Sequence, residues 1–424
     1  MPQKNWQGKI IQNKNDIYIP ICKLGEGSYA SVWSCYCKSR KEIMAIKIFH
    51  KSEHRSGVKE INIYDKIQDL KIRHIIDIFD HFVNDGHICI VIELMIGSLY
   101  DIITYGICDN IAFHDGFQID FVIKTIHIVL ESLDDLHTHR IIHGDIKPEN
   151  ILLYGKTKQQ MKLLTALSQI SSNKKIINII CETDIYQYSS DSSDQSDNDS
   201  SSVDNLSVHS EESPASEDPE LIILSDEDRD SNDDDNYEEK NKKYVDINDS
   251  YLKSPQIKLA DLGSTVDLSS TKKLKTVQTK YYRAPEIILG LEYNETCDIW
   301  ALGCTMYELL TGNILFNPDE YGIDQKRCII SMVCSRIGNL PIETIKTSPL
   351  KQVFFTEKSF LKSYTIDDSL TNMWVELLDH LQCETIKKYM IVDLLFQMLN
   401  PDHKKRITSK IALQHPLFKL FLIN

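Results

Sequence analysis

The chain has 424 residues, enough for two or three structural units, and its 42% hydrophobic and 26% charged residues suit a globular protein with a sizeable core. The formal charge of −15 has one source: residues 181–250 carry 23 acidic against four basic side chains, and the rest of the chain is +4. No run of about 18 apolar residues reads as a membrane span. Met1-Pro2-Gln3-Lys4-Asn5-Trp6 lacks a signal-peptide core. The eleven cysteines are scattered without metal-site spacing. No basic patch suggests nucleic acid as a direct ligand. These features predict an intracellular protein with reduced thiols, in the cytoplasm, the nucleus or both.

Residues 1–20 read as a short extension ending in an edge strand through Ile17-Tyr18-Ile19. In Leu24-Gly25-Glu26-Gly27-Ser28-Tyr29-Ala30, glycines two apart let a hairpin turn lie close over phosphates, with backbone N–H groups facing the oxygens. Val32 starts the returning strand. The strand-like Met44-Ala45-Ile46-Lys47-Ile48-Phe49 follows. Residues 57–67 place apolar side chains at steps of three and four, a helix signature, and carry Glu60. Ile88–Met95 is a nearly continuous apolar run that fits a strand buried on both faces and includes Ile92 and Glu93.

A helical stretch over 118–139 leads to His143-Gly144-Asp145-Ile146-Lys147-Pro148-Glu149-Asn150, continued by Ile151-Leu152-Leu153. A carboxylate, a cation and an amide oxygen, from Asp145, Lys147 and Asn150, fall within six residues of one loop. Residues 155–255 form an acidic insert, with a helix expected near Met161–Ile170. Its stretch 187–240 is too rich in Ser, Asp, Asn and Glu to bury a core, which predicts disorder. Beyond it, Asp261-Leu262-Gly263 ends a strand, and Thr279 precedes Tyr281-Tyr282-Arg283-Ala284-Pro285-Glu286.

These motifs, in this order over residues 23–418, resemble the eukaryotic protein kinases. The resemblance implies an α+β bilobal fold: a small sheet-rich lobe over 21–95 and a helical lobe over 96–154 and 256–424. It implies ATP between the lobes, under the hairpin Leu24–Ala30 and Val32, against Ala45 and Ile92 and over Leu152. The Glu93 carbonyl and Met95 N–H would bond the adenine edge. Lys47, paired with Glu60, would hold the α- and β-phosphates, while Asn150 and Asp261 would hold Mg²⁺. Asp145 would act on the acceptor hydroxyl beside Lys147 and Thr279, a threonine that favours Ser/Thr acceptors. Asp298, Glu286 and Arg406 fall where the family keeps structural residues.

Within the family, the Gly144-Asp145-Ile146-Lys147 sequence, Asp261-Leu262-Gly263 and the long insert resemble the splicing-factor kinases of the CMGC group, which phosphorylate Arg/Ser-rich proteins. That implies basic protein substrates; the acidic insert would attract them, mimic a phosphorylated acidic tract, bind a localisation factor or serve as an inert spacer. The resemblance departs at Gly322–Cys328, where that group has an acidic groove and this chain has Lys326 and Arg327. Gly144 stands where many kinases have an arginine that binds a phosphorylated activation loop, so activity is expected not to need that phosphate. Two other readings stand beside this one. A dual-specificity Clk/Dyrk-like kinase shares the small residue before Asp145, and a catalytically silent scaffold would act through its acidic insert.

Overall fold

The computed structural model describes residues 5–106, 116–182, 245, 247–269, 276–321, 324–362 and 372–421. The disorder expected over 187–240 lies outside the described residues, as does part of the segment 322–328.

The first part of the chain is an antiparallel sheet of six strands, ordered β1-β2-β3-β4-β6-β5. The strands are β1 (Ile11–Gln12), β2 (Ile17–Glu26), β3 (Ala30–Cys37), β4 (Glu42–Phe49), β5 (Ile78–Asn84) and β6 (His87–Ile92). Helix α1 (His54–Gln68) crosses this sheet and buries Glu60, Ile63, Tyr64 and Ile67 at helical spacing. It approaches through Gly57, where a Cβ would lie 2.9 Å from the Ile88 side chain. No larger residue allows that contact.

Beyond the sheet the chain is mainly helical. Ser98 and Asp101 form a capping box that starts α2 (Leu99–Tyr105) after the short β7 (Met95–Ser98). Helix α3 (Ile119–Thr138) buries eleven of its twenty residues, and the helix Thr296–Thr311 buries all sixteen of its own. A helix buried all round belongs at the centre of a lobe. Two small antiparallel sheets line the junction. One is ordered β10-β9-β7, with β9 at Ile151–Tyr154 and β10 at Ile257–Leu259; the other pairs β8 (Ile141–Ile142) with β11 (Val266–Asp267). This is the bilobal architecture that the resemblance implies.

The sequence reading assigned 155–255 to the insert, but both ends of that range are folded. Thr157 and Gln160 form a capping box that starts α4 (Lys158–Ser168), and α5 (Asn173–Glu182) follows. Leu163, Leu167, Ile176 and Ile180 pack with Ile19, Ile21, Ile43 and Ala45 of the six-stranded sheet. At the far end Val245, Ile247 and Leu252 join the main core. Apolar side chains at i, i+4 within a polar stretch need a partner face, and these found one. The N-terminal extension is folded too: Trp6 and Ile11 are buried beside Tyr18 and Trp33.

Candidate active site

The β2–β3 pairing places Gly25 opposite Val32 and Glu26 opposite Ser31, and the Gly27 N–H donates to the Ala30 carbonyl at 2.9 Å. A Cβ at Gly27 would meet only that carbonyl oxygen, at an ordinary 3.6 Å. The hairpin's own packing therefore does not demand glycine. Bare backbone there leaves room for something outside the chain. Register brings the rest of this wall together, since β4 sets Lys47 opposite Val32 and Ile90, and Ala45 opposite Ile92. On the facing side, β9 sets Leu152 opposite Ser98. Glu93 and Met95 are buried, while Tyr29 at the hairpin tip is exposed.

Lys47 Nζ sits 2.8 Å from Glu60 Oε2 and 3.0 Å from Asp261 Oδ1. Burial opposes the ammonium's charge, yet Asp261 and Glu60 hold its pKa above the ordinary lysine value. Lys47 in turn holds the Asp261 carboxyl well below the usual range. Burial pushes Glu60 upward against the pull of Lys47. Asp261 adopts a left-handed backbone at φ +59° and accepts from the Gly263 N–H at 3.3 Å. A Cβ on Gly263 would crowd the Glu60 and Asp261 carboxylates at 3.1 and 3.2 Å, which explains that glycine.

In the loop 143–150, Asp145 Oδ1 accepts from Thr279 Oγ1–H at 2.7 Å and from the Thr279 N–H at 3.1 Å. Lys147 Nζ donates to the same Thr279 oxygen at 3.0 Å and lies 3.3 Å from Asp145 Oδ2. Asn150 donates through its amide nitrogen to the Asp145 carbonyl and carboxylate. Among the described residues, that bonding leaves the Asn150 side-chain oxygen, Oδ1, with no protein donor. Asp261 spends Oδ1 on Lys47, and its side chain stays 44% exposed. The β9–β10 register sets Ile151 opposite Leu259, and the Ala260 N–H bonds the Asn150 carbonyl, so both oxygen donors leave one ladder together. An amide oxygen and a carboxylate suit a hard divalent cation.

Asp298, fully buried, accepts the N–H groups of His143 and Gly144 at 2.8 and 2.9 Å and so shapes this loop from beneath. Arg406 meets Glu286 in a two-pronged pair at 2.7 and 2.9 Å, both side chains fully buried. Two residues escaped the sequence reading. Gln278 has φ +72° and is buried, its side chain bonding the Ala284 N–H and the Cys297 carbonyl. Lys258 joins Asp77 and Glu93 behind the cleft. No local motif marks either one.

The sequence profile of the protein kinase domain matches residues 18–187 and 247–418. This chain belongs to the protein kinase family. Kinases of this family use ATP and a divalent metal, and the donor set at Asn150 and Asp261 fits such an ion. The kinase is 26% identical to the serine/threonine-protein kinase AFC1 of Arabidopsis thaliana over 95% of this chain and 70% of the relative. It is 29% identical to protein kinase dsk1 of Schizosaccharomyces pombe over 71% of this chain and 62% of that one. The dual specificity tyrosine-phosphorylation-regulated kinase 3 of Mus musculus is 24% identical over 93% of this chain and 52% of its own length. These relatives place the kinase with the serine/threonine enzymes of the CMGC group.

Proposed function

We propose that this serine/threonine kinase transfers the γ-phosphoryl group of ATP, bound with Mg²⁺, to Ser and Thr hydroxyls of proteins, basic and Arg/Ser-rich ones among them. The observation that carries the reading is the interlocked bonding of Asp145, Lys147 and Thr279. Asp145 orients the acceptor hydroxyl and takes its proton, while Lys147 balances charge growing on the transferred group. Lys47, fixed by Glu60, holds the α- and β-phosphates beneath the glycine hairpin, and the hinge at Glu93 and Met95 bonds the adenine edge. Asn150 and Asp261 would hold Mg²⁺, which would supply neutralisation of the phosphate charge. Orientation and fixed charge account for most of the rate.

The same reading holds that the kinase needs no phosphate on its activation segment. Gly144 has φ +80°, and a Cβ there would lie 2.8 Å from the Ser264 carbonyl, so an arginine has no place. Backbone bonds take over its fastening role. The Gln278 N–H donates to the Gly144 carbonyl at 2.9 Å, the Leu268 N–H donates to the Arg140 carbonyl at 2.9 Å, and β11 pairs with β8. An intracellular setting is supported by the described cysteines, all free thiols. Among the described residues no helix is long and apolar enough to cross a membrane.

The test is phosphate transfer from labelled ATP to an Arg-Ser repeat peptide and an acidic Ser peptide, by wild type, phosphatase-treated wild type and Asp145→Ala. The reading expects transfer to the Arg-Ser peptide, undiminished by phosphatase and reduced by about 10³-fold or more in Asp145→Ala. Preference for the acidic peptide removes the Arg/Ser assignment. Loss of activity on phosphatase treatment removes the independence from phosphorylation. The likeness to the mouse dual-specificity enzyme favours a second reading, which phosphotyrosine on the kinase after incubation with ATP would support.

A further inference from the structure

The hinge is tied to the large lobe by a junction that the kinase motifs do not account for. Glu93 is a hinge residue, yet its carboxylate is turned inward, with 9% of the side chain exposed. The Asp77 N–H donates to Glu93 Oε1 at 2.8 Å, and the Glu93 N–H donates to the Asp77 carbonyl at 3.1 Å, closing a ring between the two residues. Lys258 completes it, with Nζ at 2.5 Å from Glu93 Oε1 and 2.8 Å from Asp77 Oδ2. Lys258 lies on β10, three residues before Asp261, and packs its ammonium 5.4 Å from the Tyr154 ring. The segment carrying Asp77 is pinned to the same strand. The Ile76 N–H donates to the Leu259 carbonyl at 2.9 Å, and the Leu259 N–H donates to the His74 carbonyl at 2.7 Å.

A carboxylate withdrawn from water is stable only while its charge is met. Among the described residues, Lys258 is the one cation in contact with Glu93. Remove it, and Glu93 keeps a single backbone donor for a buried negative charge. Its side chain then turns towards water or takes a proton, and the Asp77–Glu93 ring that holds the peptide units on either side loses its ion-pair anchor on β10. Those peptide units are the ones that would face the adenine. The charge on Lys258 is secure, because its two carboxylate partners outweigh the cost of burial and raise its pKa.

We propose that Lys258 is a positioning residue for adenine recognition: through Glu93 and Asp77 it fixes the hinge backbone at the angle that the purine edge requires. It touches neither nucleotide nor acceptor. The inference rests on the reading of Glu93 and Met95 as the adenine-facing backbone, and it makes the nucleobase preference a property of a residue on the opposite lobe.

The experiment measures kcat and KM for ATP and for inosine triphosphate, with one peptide acceptor, for wild type, Lys258→Met and Lys258→Arg in the full chain. Hypoxanthine replaces the adenine amino donor with a carbonyl oxygen, so it reports hinge bonding directly. Wild type should prefer ATP by about tenfold or more in kcat/KM, the scale of a site built to pair a polar edge. Lys258→Met should raise KM for ATP by about fivefold with kcat and the peptide KM little changed, and should shrink the ATP preference by about threefold. Lys258→Arg should restore both. Thermal melting with and without nucleotide checks that the Met variant is folded; if it is not, Lys258→Gln, which keeps a neutral donor, takes its place. A wild type indifferent to the base overturns the hinge reading itself. A selective wild type whose selectivity survives Lys258→Met and Lys258→Gln overturns this inference alone.

Discussion

Glu308 shows how a single buried carboxylate sets a pH dependence. It is 4% exposed on the fully buried helix Thr296–Thr311, and the Tyr282 hydroxyl donates to it at 2.7 Å. Burial pushes its pKa from an ordinary 4.5 to about 7, the Glu149 charge adding to the rise and the Tyr282 bond opposing it. A carboxyl raised in the folded state binds its proton more tightly there than in the unfolded chain. Its contribution is therefore complete below pH 4.5 and is lost as pH rises through about 7. The loss amounts to at most about 3 kcal/mol, at roughly 1.4 kcal/mol per pKa unit. Glu308→Gln keeps an acceptor for Tyr282 without the charge. The variant should melt well above wild type at pH 8 and close to it at pH 4.5. Parallel melting curves across that range would show that Glu308 is not the titrating group.

The α4–α5 pair is the element that most changes the picture of this chain. It leaves β9, passes the Lys156–Glu42 ion pair at 3.1 Å and lays Leu163, Leu167, Ile176 and Ile180 on the small-lobe sheet. Leu167 is fully buried, and its carbonyl accepts from the Tyr36 hydroxyl at 3.3 Å. Leu167→Ala keeps that backbone bond and removes the packing, so it should cost about 2–5 kcal/mol. Urea unfolding measures this directly, and a loss under 1 kcal/mol would mean the pair rests on the sheet without bracing it. A helix near 161–170 was legible from its spacing, but its seat was not. Apolar periodicity says which face seeks burial and nothing about where. The glycine hairpin, the 143–150 loop and Asp261-Leu262-Gly263 were legible because each packs its chemistry into a few consecutive residues. Lys258 and Glu93 lie 165 residues apart, and only the fold joins them. Gln278 was hidden for another reason, since its left-handed backbone is a conformation and leaves no mark in composition.

At the scale of the whole molecule, charge is divided as sharply as structure. Residues 183–244 hold 20 acidic and four basic side chains, so without their carboxylates the chain moves from −15 to +5. Both ends of this segment are anchored, one on the small-lobe sheet by α5 and the other in the main core by Val245 and Ile247. The segment's charge is thus covalently joined at both ends to the folded body. A tethered negative field concentrates basic ligands and should leave the chemical step alone. Replacing the 20 carboxylates by amides should therefore raise KM for an Arg-Ser peptide several-fold at low salt and leave kcat unchanged. The gap should close near 0.5 M salt, where screening shortens to roughly 4 Å. An acidic peptide should gain from the same change. If the basic peptide's KM does not move at low salt, the insert plays no part in gathering substrate, and recognition belongs to the folded lobes alone.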